Sequence, residues 1–196
     1  MTEIFRYAHH LDKDITLAIN SLHCPASDFV WQVFSDKEIW FVMYGIVAFF
    51  IFRNLGWKRG LIAFIGIVLT IVCCDQTANF TKEFFGRLRP CWDGEMIDRG
   101  LVILEDKANL YGFYSAHAAN ALGFAISSSL AFRLNDKQRS YKAYTLAIII
   151  WGILVGVSRI FVGKHFFGDV LTGFVVGTVY ACIFSIIAAR IADRVK

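Results

Sequence analysis

Charged residues are scarce in this chain: they make up 18% of its 196 positions, against 57% apolar and 16% aromatic residues. A soluble domain normally carries about a quarter of its residues charged, so the composition argues against a water-soluble globule. The net charge is only +4. No basic cluster of the kind that tracks a nucleic-acid backbone is present, and no nucleic-acid partner is expected. There are 2 prolines, Pro25 and Pro90, and both flank apolar segments, where they mark boundaries. The 5 cysteines (Cys24, Cys73, Cys74, Cys91 and Cys182) form no C-x-x-C pair and no Cys/His zinc spacing. The opening MTEIFRYAHHLDKD has no basic stretch, apolar core and small-residue cleavage site in succession. Membrane targeting is therefore expected from uncleaved spans. No repeat, low-complexity tract or linker divides the chain, so residues 1–196 read as a single domain.

What the sequence has is long apolar runs. They cover roughly 39–54, 60–80, 116–133, 143–160 and 168–190. A spanning helix needs about 20 mostly apolar residues. The run Val170 to Ala189 meets that length without a charge, whereas Ile39 to Phe52 is short. So many apolar segments leave too little polar surface to cover a soluble globule. The expectation is an all-α integral membrane helical bundle of about five transmembrane helices, with residues 39–190 as its core. Leu11, Ile15, Ile19 and Leu22 recur at helical spacing, and FVWQVF at 29–34 is apolar and aromatic. Both suit helices within 1–36 that lie in the outer interface or pack on the spans.

The loops orient the bundle. Arg53, Lys58 and Arg59 follow the first run, Arg133, Lys137, Arg139 and Lys142 the third, and Arg190, Arg194 and Lys196 the fifth. Lysine and arginine concentrate on the cytoplasmic side, which implies an outer N-terminus and an inner C-terminus. The acids agree: Glu3, Asp12, Asp14, Asp28, Asp36 and Glu38 precede the first run, and Asp93, Glu95, Asp98, Glu105 and Asp106 lie in the outer loop 91–114. The glycine pairs Gly152/Gly156 and Gly173/Gly177 allow close helix approach and are read as packing devices.

This topology brings the groups capable of chemistry to the outer face. Lys82, Arg89 and Arg159 stand at the ends of runs, and a cationic trio beside an apolar bundle calls for an anionic partner. His165 and Asp169 are spaced i, i+4, one face of a helix. The carboxylate can hold the proton of one ring nitrogen and leave the other free, the orienting logic of a catalytic triad. His117 opens another helix after Ser115 and can protonate a leaving alkoxide. The Ser115 hydroxyl and the first free amides of that helix make an anion cradle. Two histidines and a carboxylate also suit zinc, but the three cations oppose a divalent ion, so no metal or cofactor is expected.

Lys82-x6-Arg89-Pro90, Tyr114-Ser115-Ala116-His117 and Ser158-Arg159-x5-His165-x3-Asp169 together resemble the three-part signature of the type 2 phosphatidic acid phosphatase family, shared with glucose-6-phosphatase and the vanadium haloperoxidases. The middle part departs from the usual Pro-Ser-Gly-His but keeps its serine and histidine. The resemblance implies a metal-free phosphatase in which His165 attacks phosphorus, Asp169 orients it, and His117 serves the leaving group and then water. Lys82, Arg89, Ser115, Ala116 N–H and Arg159 would hold the phosphoryl oxygens. A lipid phosphate in the bilayer is the implied substrate, at the periplasmic face of a bacterial inner membrane. Undecaprenyl diphosphate is the leading candidate; lipid A phosphates, phosphatidylglycerophosphate and phosphatidic acid are the alternatives. Vanadate-dependent haloperoxidase chemistry, or non-enzymatic binding or transport of an anionic lipid, are readings from other classes.

Three further expectations concern single features. Asp75, inside the second run, is read as a structural hydrogen-bond partner, because an acid at that depth is costly unless paired. Cys24 and Cys91, both on the outer side, are a candidate disulfide. The loop 91–114 is long enough to act as a lid, with Tyr111, Phe113 and Tyr114 at the entrance.

Overall fold

The computed structural model describes residues 3–107, 109–135 and 140–195. Its helices are α1 (Glu3–Asn20), α2 (Pro25–Ser35), α3 (Phe41–Phe85), α4 (Gly94–Asp98), α5 (Ala116–Phe132), α6 (Lys142–Phe161) and α7 (Phe167–Ala192), with a 3-10 turn at Pro90–Trp92. Among the described residues there is no strand, only an isolated antiparallel bridge between Leu88 and Tyr111.

Helix α3 is broken at Gly56, whose φ of 73° and ψ of 173° are non-helical. The rings of Phe52 and Phe64 lie 5.9 Å apart, whereas twelve residues of continuous helix would separate them by about 18 Å. The chain therefore reverses, and arms 41–55 and 57–85 form a hairpin that matches the first two expected runs. Helices α3, α6 and α7 are long and apolar enough to cross a membrane. Their outward residues are apolar and bare: Val42, Phe49, Leu171 and Val175 are all at least half exposed. A surface of that kind is covered by lipid in an integral membrane protein.

Helix α5 spans 17 residues and sits at the centre, packed by α3, α6 and α7. Its alanine- and serine-rich sequence keeps it slim, and its neighbours meet it with glycine. A Cβ on Gly177 would stand 2.2 Å from the Ala119 carbonyl oxygen, one on Gly173 2.5 Å from that of Ser115, and one on Gly152 3.1 Å from that of Ala121. Only hydrogen fits such crossings. On Gly156 the added atom would strike the Phe174 ring at 2.3 Å. Both glycine pairs therefore serve internal packing.

The ends of the bundle differ. At one end Arg59 donates to the Leu134 carbonyl at 2.7 Å and lies 4.0 Å from Asp193, and Asn54 donates to the Phe132 carbonyl at 3.2 Å. The Gly56 turn, the end of α5 and the end of α7 therefore meet where the basic residues concentrate; Lys137, Arg139 and Lys196 lie outside the described residues. At the other end α1 joins α6 to α7. The buried Asn20 amide donates to the carbonyls of Val102, Ile160 and Phe161 at 3.0, 3.1 and 3.0 Å. The Thr16 hydroxyl accepts from Phe167 N–H at 2.9 Å, and the Asp12 carboxylate from Gly168 N–H at 2.7 Å. Helix α2 packs on α6, with Trp31 stacked 4.2 Å from Phe161. These contacts fix the short connection that carries His165.

Candidate active site

His165 lies in that connection, 2% exposed, and Asp169 in the first turn of α7 is fully buried. Asp169 Oδ2 faces His165 Nδ1 at 3.5 Å and accepts from Phe166 N–H at 3.1 Å. His165 Nδ1 is buried without a closer partner. The other nitrogen fixes the tautomer. Arg89 Nη1 stands 2.9 Å from His165 Nε2, and a guanidinium can only donate. Nε2 is therefore the acceptor, and the ring proton sits on Nδ1, toward Asp169. Burial first, and then the charges of Arg89, Arg159 and Lys82, push the His165 pKa well below its ordinary value. The resting group is a neutral imidazole with its lone pair on Nε2.

A second layer holds Asp169. Arg87 Nη1 donates to Asp169 Oδ1 at 2.7 Å, its Nη2 donates to Asp12, and its guanidinium lies 4.2 Å over the Phe166 ring. Arg89 is anchored by its own donations to the carbonyls of Tyr111 at 3.1 Å and Lys164 at 3.2 Å. Gly112 lets these strands of chain close up: a Cβ there would be 2.9 Å from Arg89 Cγ and 3.4 Å from Asp169 Oδ2. Burial lowers the Arg89 pKa, against the raising influence of Cys91 and Asp169; a guanidinium keeps its charge despite such a shift.

A cavity of about 600 Å³ opens above His165, lined by Lys82, Arg89, Ala116, His117 and Arg159 together with Lys37, Trp40, Tyr44, Asp75 and Asn120. Six of the eight residues singled out from the sequence share its wall. Asp169 stands behind His165. Ser115 is also behind the wall: it is fully buried, its hydroxyl caps α5 by accepting from Ala118 N–H at 3.4 Å, and its N–H donates to the Asp169 carbonyl at 3.0 Å. Its visible work is to aim α5, whose first residues face the cavity. Arg159, 5% exposed, donates to the carbonyl of Ser35 at 3.3 Å and to its hydroxyl. Glu105 lies 3.6 Å from Arg159 and 3.8 Å from Lys164. A carboxylate thus occupies the side of the cation that faces a neighbouring hollow shared by Lys37, His117 and Arg159.

Several sequence expectations change here. Cys24 and Cys91 are both free, the first exposed at the start of α2 and the second buried in the Pro90–Trp92 turn. Phe113 and Tyr114 do not form the entrance. Tyr114 is 2% exposed and donates inward to the Cys74 carbonyl at 2.9 Å, while Phe113 packs on Phe85 with centroids 5.0 Å apart. Asn109 is the residue of that loop on the cavity wall. Asp75 does have a hydrogen bond, from the Asn120 side chain at 2.9 Å. Sequence reasoning passed over Arg87, Asp12, Ser35, Lys37 and Glu105. Arg87 had a signal, since it stands two residues before Arg89, but its partner Asp12 lies 75 positions away.

The family model of the PAP2 superfamily matches residues 59–192. The lipid A 4'-phosphatase of Bacteroides thetaiotaomicron is 28% identical over 98% of this chain and 84% of its own. That of Porphyromonas gingivalis is 31% identical over 88% and 71% respectively. Among solved structures, the PAP2-type phosphatidylglycerolphosphate phosphatase of Bacillus subtilis superposes with a TM-score of 0.72 at 20% identity, covering 100% of this chain and 89% of that one. LpxE of Aquifex aeolicus superposes with a TM-score of 0.65 at 22% identity, over 87% and 92%.

Proposed function

We propose the following reaction for this chain, which belongs to the PAP2 superfamily and is a membrane lipid phosphatase. A lipid phosphate enters the cavity with its phosphoryl oxygens toward Lys82, Arg89, Arg159 and the Ala116 N–H. His165 Nε2 attacks phosphorus, the bond from phosphorus to the lipid oxygen breaks, and His117 gives that oxygen a proton. Water, deprotonated by His117, then attacks the phosphohistidine and returns Nε2 as the leaving group. Phosphoryl transfer rests on positioning and charge stabilisation, which the clustered cations supply. The observation that carries the reading is the neutral His165, with its Nε2 lone pair held 2.9 Å from Arg89 and its Nδ1 toward Asp169. For attack, the Arg89 guanidinium passes from Nε2 to the phosphoryl oxygens.

The substrate reading shifts with the relatives. Undecaprenyl diphosphate gives way to a lipid A phosphate, because curated relatives that match most of this chain are named lipid A 4'-phosphatases. The catalytic end faces the periplasmic side of a bacterial inner membrane, with the N-terminus outside, the C-terminus inside and five crossings. What supports this is the gathering of Arg53, Lys58, Arg59, Arg190 and Arg194 on elements of the opposite end.

Phosphate release by the purified protein, with chelator present, tests the reaction. The panel is lipid A, phosphatidylglycerophosphate, phosphatidic acid and undecaprenyl diphosphate, with His165→Ala alongside. Fastest release from lipid A that vanishes in the variant is the expected result. Release that survives His165→Ala would overturn the mechanism. Binding without release from any lipid would favour a non-enzymatic lipid binder.

A further inference from the structure

The cavity continues into the bundle below the phosphate-binding cations. Ile71, Asp75, Asn79 and Lys82 line it from one face of α3, and Asn120 lines it from α5. Asp75 precedes Lys82 by seven residues, which places it about 10 Å further along the helix. Polar side chains at that depth are costly and mark function by default. Their pairing is incomplete. Asn120 Nδ2 donates to Asp75 Oδ1 at 2.9 Å, while Asn120 Oδ1 is buried with no hydrogen-bond partner. Buried acceptors are nearly always satisfied, and a carboxylate has further lone pairs beyond the one used. The pair therefore offers acceptors, and what complements it is a donor.

We infer that Asp75 and Asn120 form a subsite for hydroxyl or amide N–H groups of the lipid just below the scissile phosphate, favouring an acylated amino-sugar phosphate over polyprenyl and diacylglycerol phosphates. The inference rests on the lipid phosphatase reading above and narrows its substrate class. An acylated amino sugar bears hydroxyl and amide donors within a few bonds of the phosphate-bearing carbon. A polyprenyl phosphate becomes hydrocarbon at that carbon. A diacylglycerol phosphate offers only ester carbonyls, which are acceptors. For both of these, entry leaves Asp75 and Asn120 facing a group that cannot donate, and an unmatched buried polar group disfavours binding more than a matched one favours it.

The test compares kcat/KM on lipid A and on undecaprenyl phosphate, both phosphate monoesters, for the wild-type protein and for the double variant Asp75→Leu/Asn120→Leu. Replacing both partners together leaves no orphaned polar group. The expected result is a fall on lipid A at least about thirtyfold greater than on the polyprenyl phosphate, as loss of two substrate hydrogen bonds implies. Equal changes on the two substrates would assign the pair a purely structural role and overturn the inference while leaving the phosphatase reading intact. A wild-type protein that cleaves the polyprenyl phosphate but not lipid A would instead sink the lipid A reading. Should the double variant fail to fold, Asn120→Ser keeps a hydroxyl beside Asp75 and should shift the same ratio at least about threefold; an unchanged ratio would again overturn the subsite.

Discussion

His165 and His117 border one cavity, but their surroundings are opposite in kind. Behind His165 stand Asp169, then Arg87, then Asp12, a chain of charged groups that runs from α7 through the segment after α3 to α1. The ring of His117 makes no hydrogen bond among the described residues and sits at the first turn of α5, facing open space. A nucleophile must present one lone pair along one line, so its orientation is worth fixing in advance. A group that protonates a leaving oxygen and later takes a proton from water serves two positions, so freedom suits it. If that contrast is functional, damage should be graded by distance from Nε2 on the His165 side, and should divide by reaction step on the His117 side.

The largest effects separate the histidines themselves. His165→Ala should form no phosphoenzyme and lower turnover by at least about 10⁴-fold. His117→Ala should still form phosphohistidine from p-nitrophenyl phosphate, whose leaving group needs no proton, and should accumulate it because water is not activated. Rapid quench followed by detection of the acid-labile phosphoenzyme reads both. Accumulation in the His165 variant, or none in the His117 variant, would reverse the roles.

Asp169→Asn comes next. It leaves the volume unchanged but removes the charge that faces the Nδ1 proton, and a fall in kcat of roughly 10² to 10⁴ is expected, with thermal stability in detergent nearly kept. Near-normal turnover would take Asp169 out of the machinery.

This grading was only half legible in the sequence. Lys82, Arg89, His117, Arg159, His165 and Asp169 could be found because their types and spacings follow from the chemistry and the apolar runs put them on one face. The α3 hairpin was legible too, since Arg53, Lys58 and Arg59 interrupt the apolar pattern between the first two runs. The supports were not. Asp12 and its acidic neighbours were read only with the outer side, and nothing local tells an acid that faces solvent from one that binds Arg87. Ser35 and Glu105 reach Arg159 across 124 and 54 positions, from a helix end and an irregular loop with no periodicity to read. Tyr114 misled because a tyrosine beside a motif reads as an entrance, yet its hydroxyl is satisfied inward by Thr77 and the Cys74 carbonyl.

Asp12→Asn probes the far end of the His165 chain. The variant keeps an oxygen for the Gly168 N–H but loses the charge opposite Arg87, so Asp169 becomes less well held. We expect kcat about tenfold lower with KM little changed, and a displaced acidic limb of the pH–rate profile, which a merely structural defect would not move. A KM effect without a kcat effect would place Asp12 in substrate binding instead.

On the other side of the cavity, Glu105 occupies Arg159 and Lys164. A phosphate that needs Arg159 must compete with it, and the apparent affinity falls by the fraction of sites so occupied. Glu105→Gln should lower KM roughly threefold at constant kcat. A raised KM would instead make Glu105 part of the framework that positions Arg159.

The smallest effect concerns stability and tests whether His165 is held neutral. Burial, followed by the Arg89, Arg159 and Lys82 charges, keeps its folded pKa well below the ordinary value of 6.5. The unfolded imidazole still takes up its proton near that value. Below it the unfolded chain binds more protons than the folded one, so stability is lost as the pH falls through 6.5 and is unaffected above it. One proton contributes at most about 1.4 kcal/mol per pH unit. Melting temperatures in detergent at pH 7.5 and 5.5 should therefore fall further for the wild type than for His165→Asn, which has no such proton to bind. Parallel curves would mean that His165 takes up its proton in the folded protein as readily as in the unfolded one. The lone pair on Nε2 would then be filled at mildly acid pH, and the prearrangement proposed for His165 as nucleophile would exist only above it.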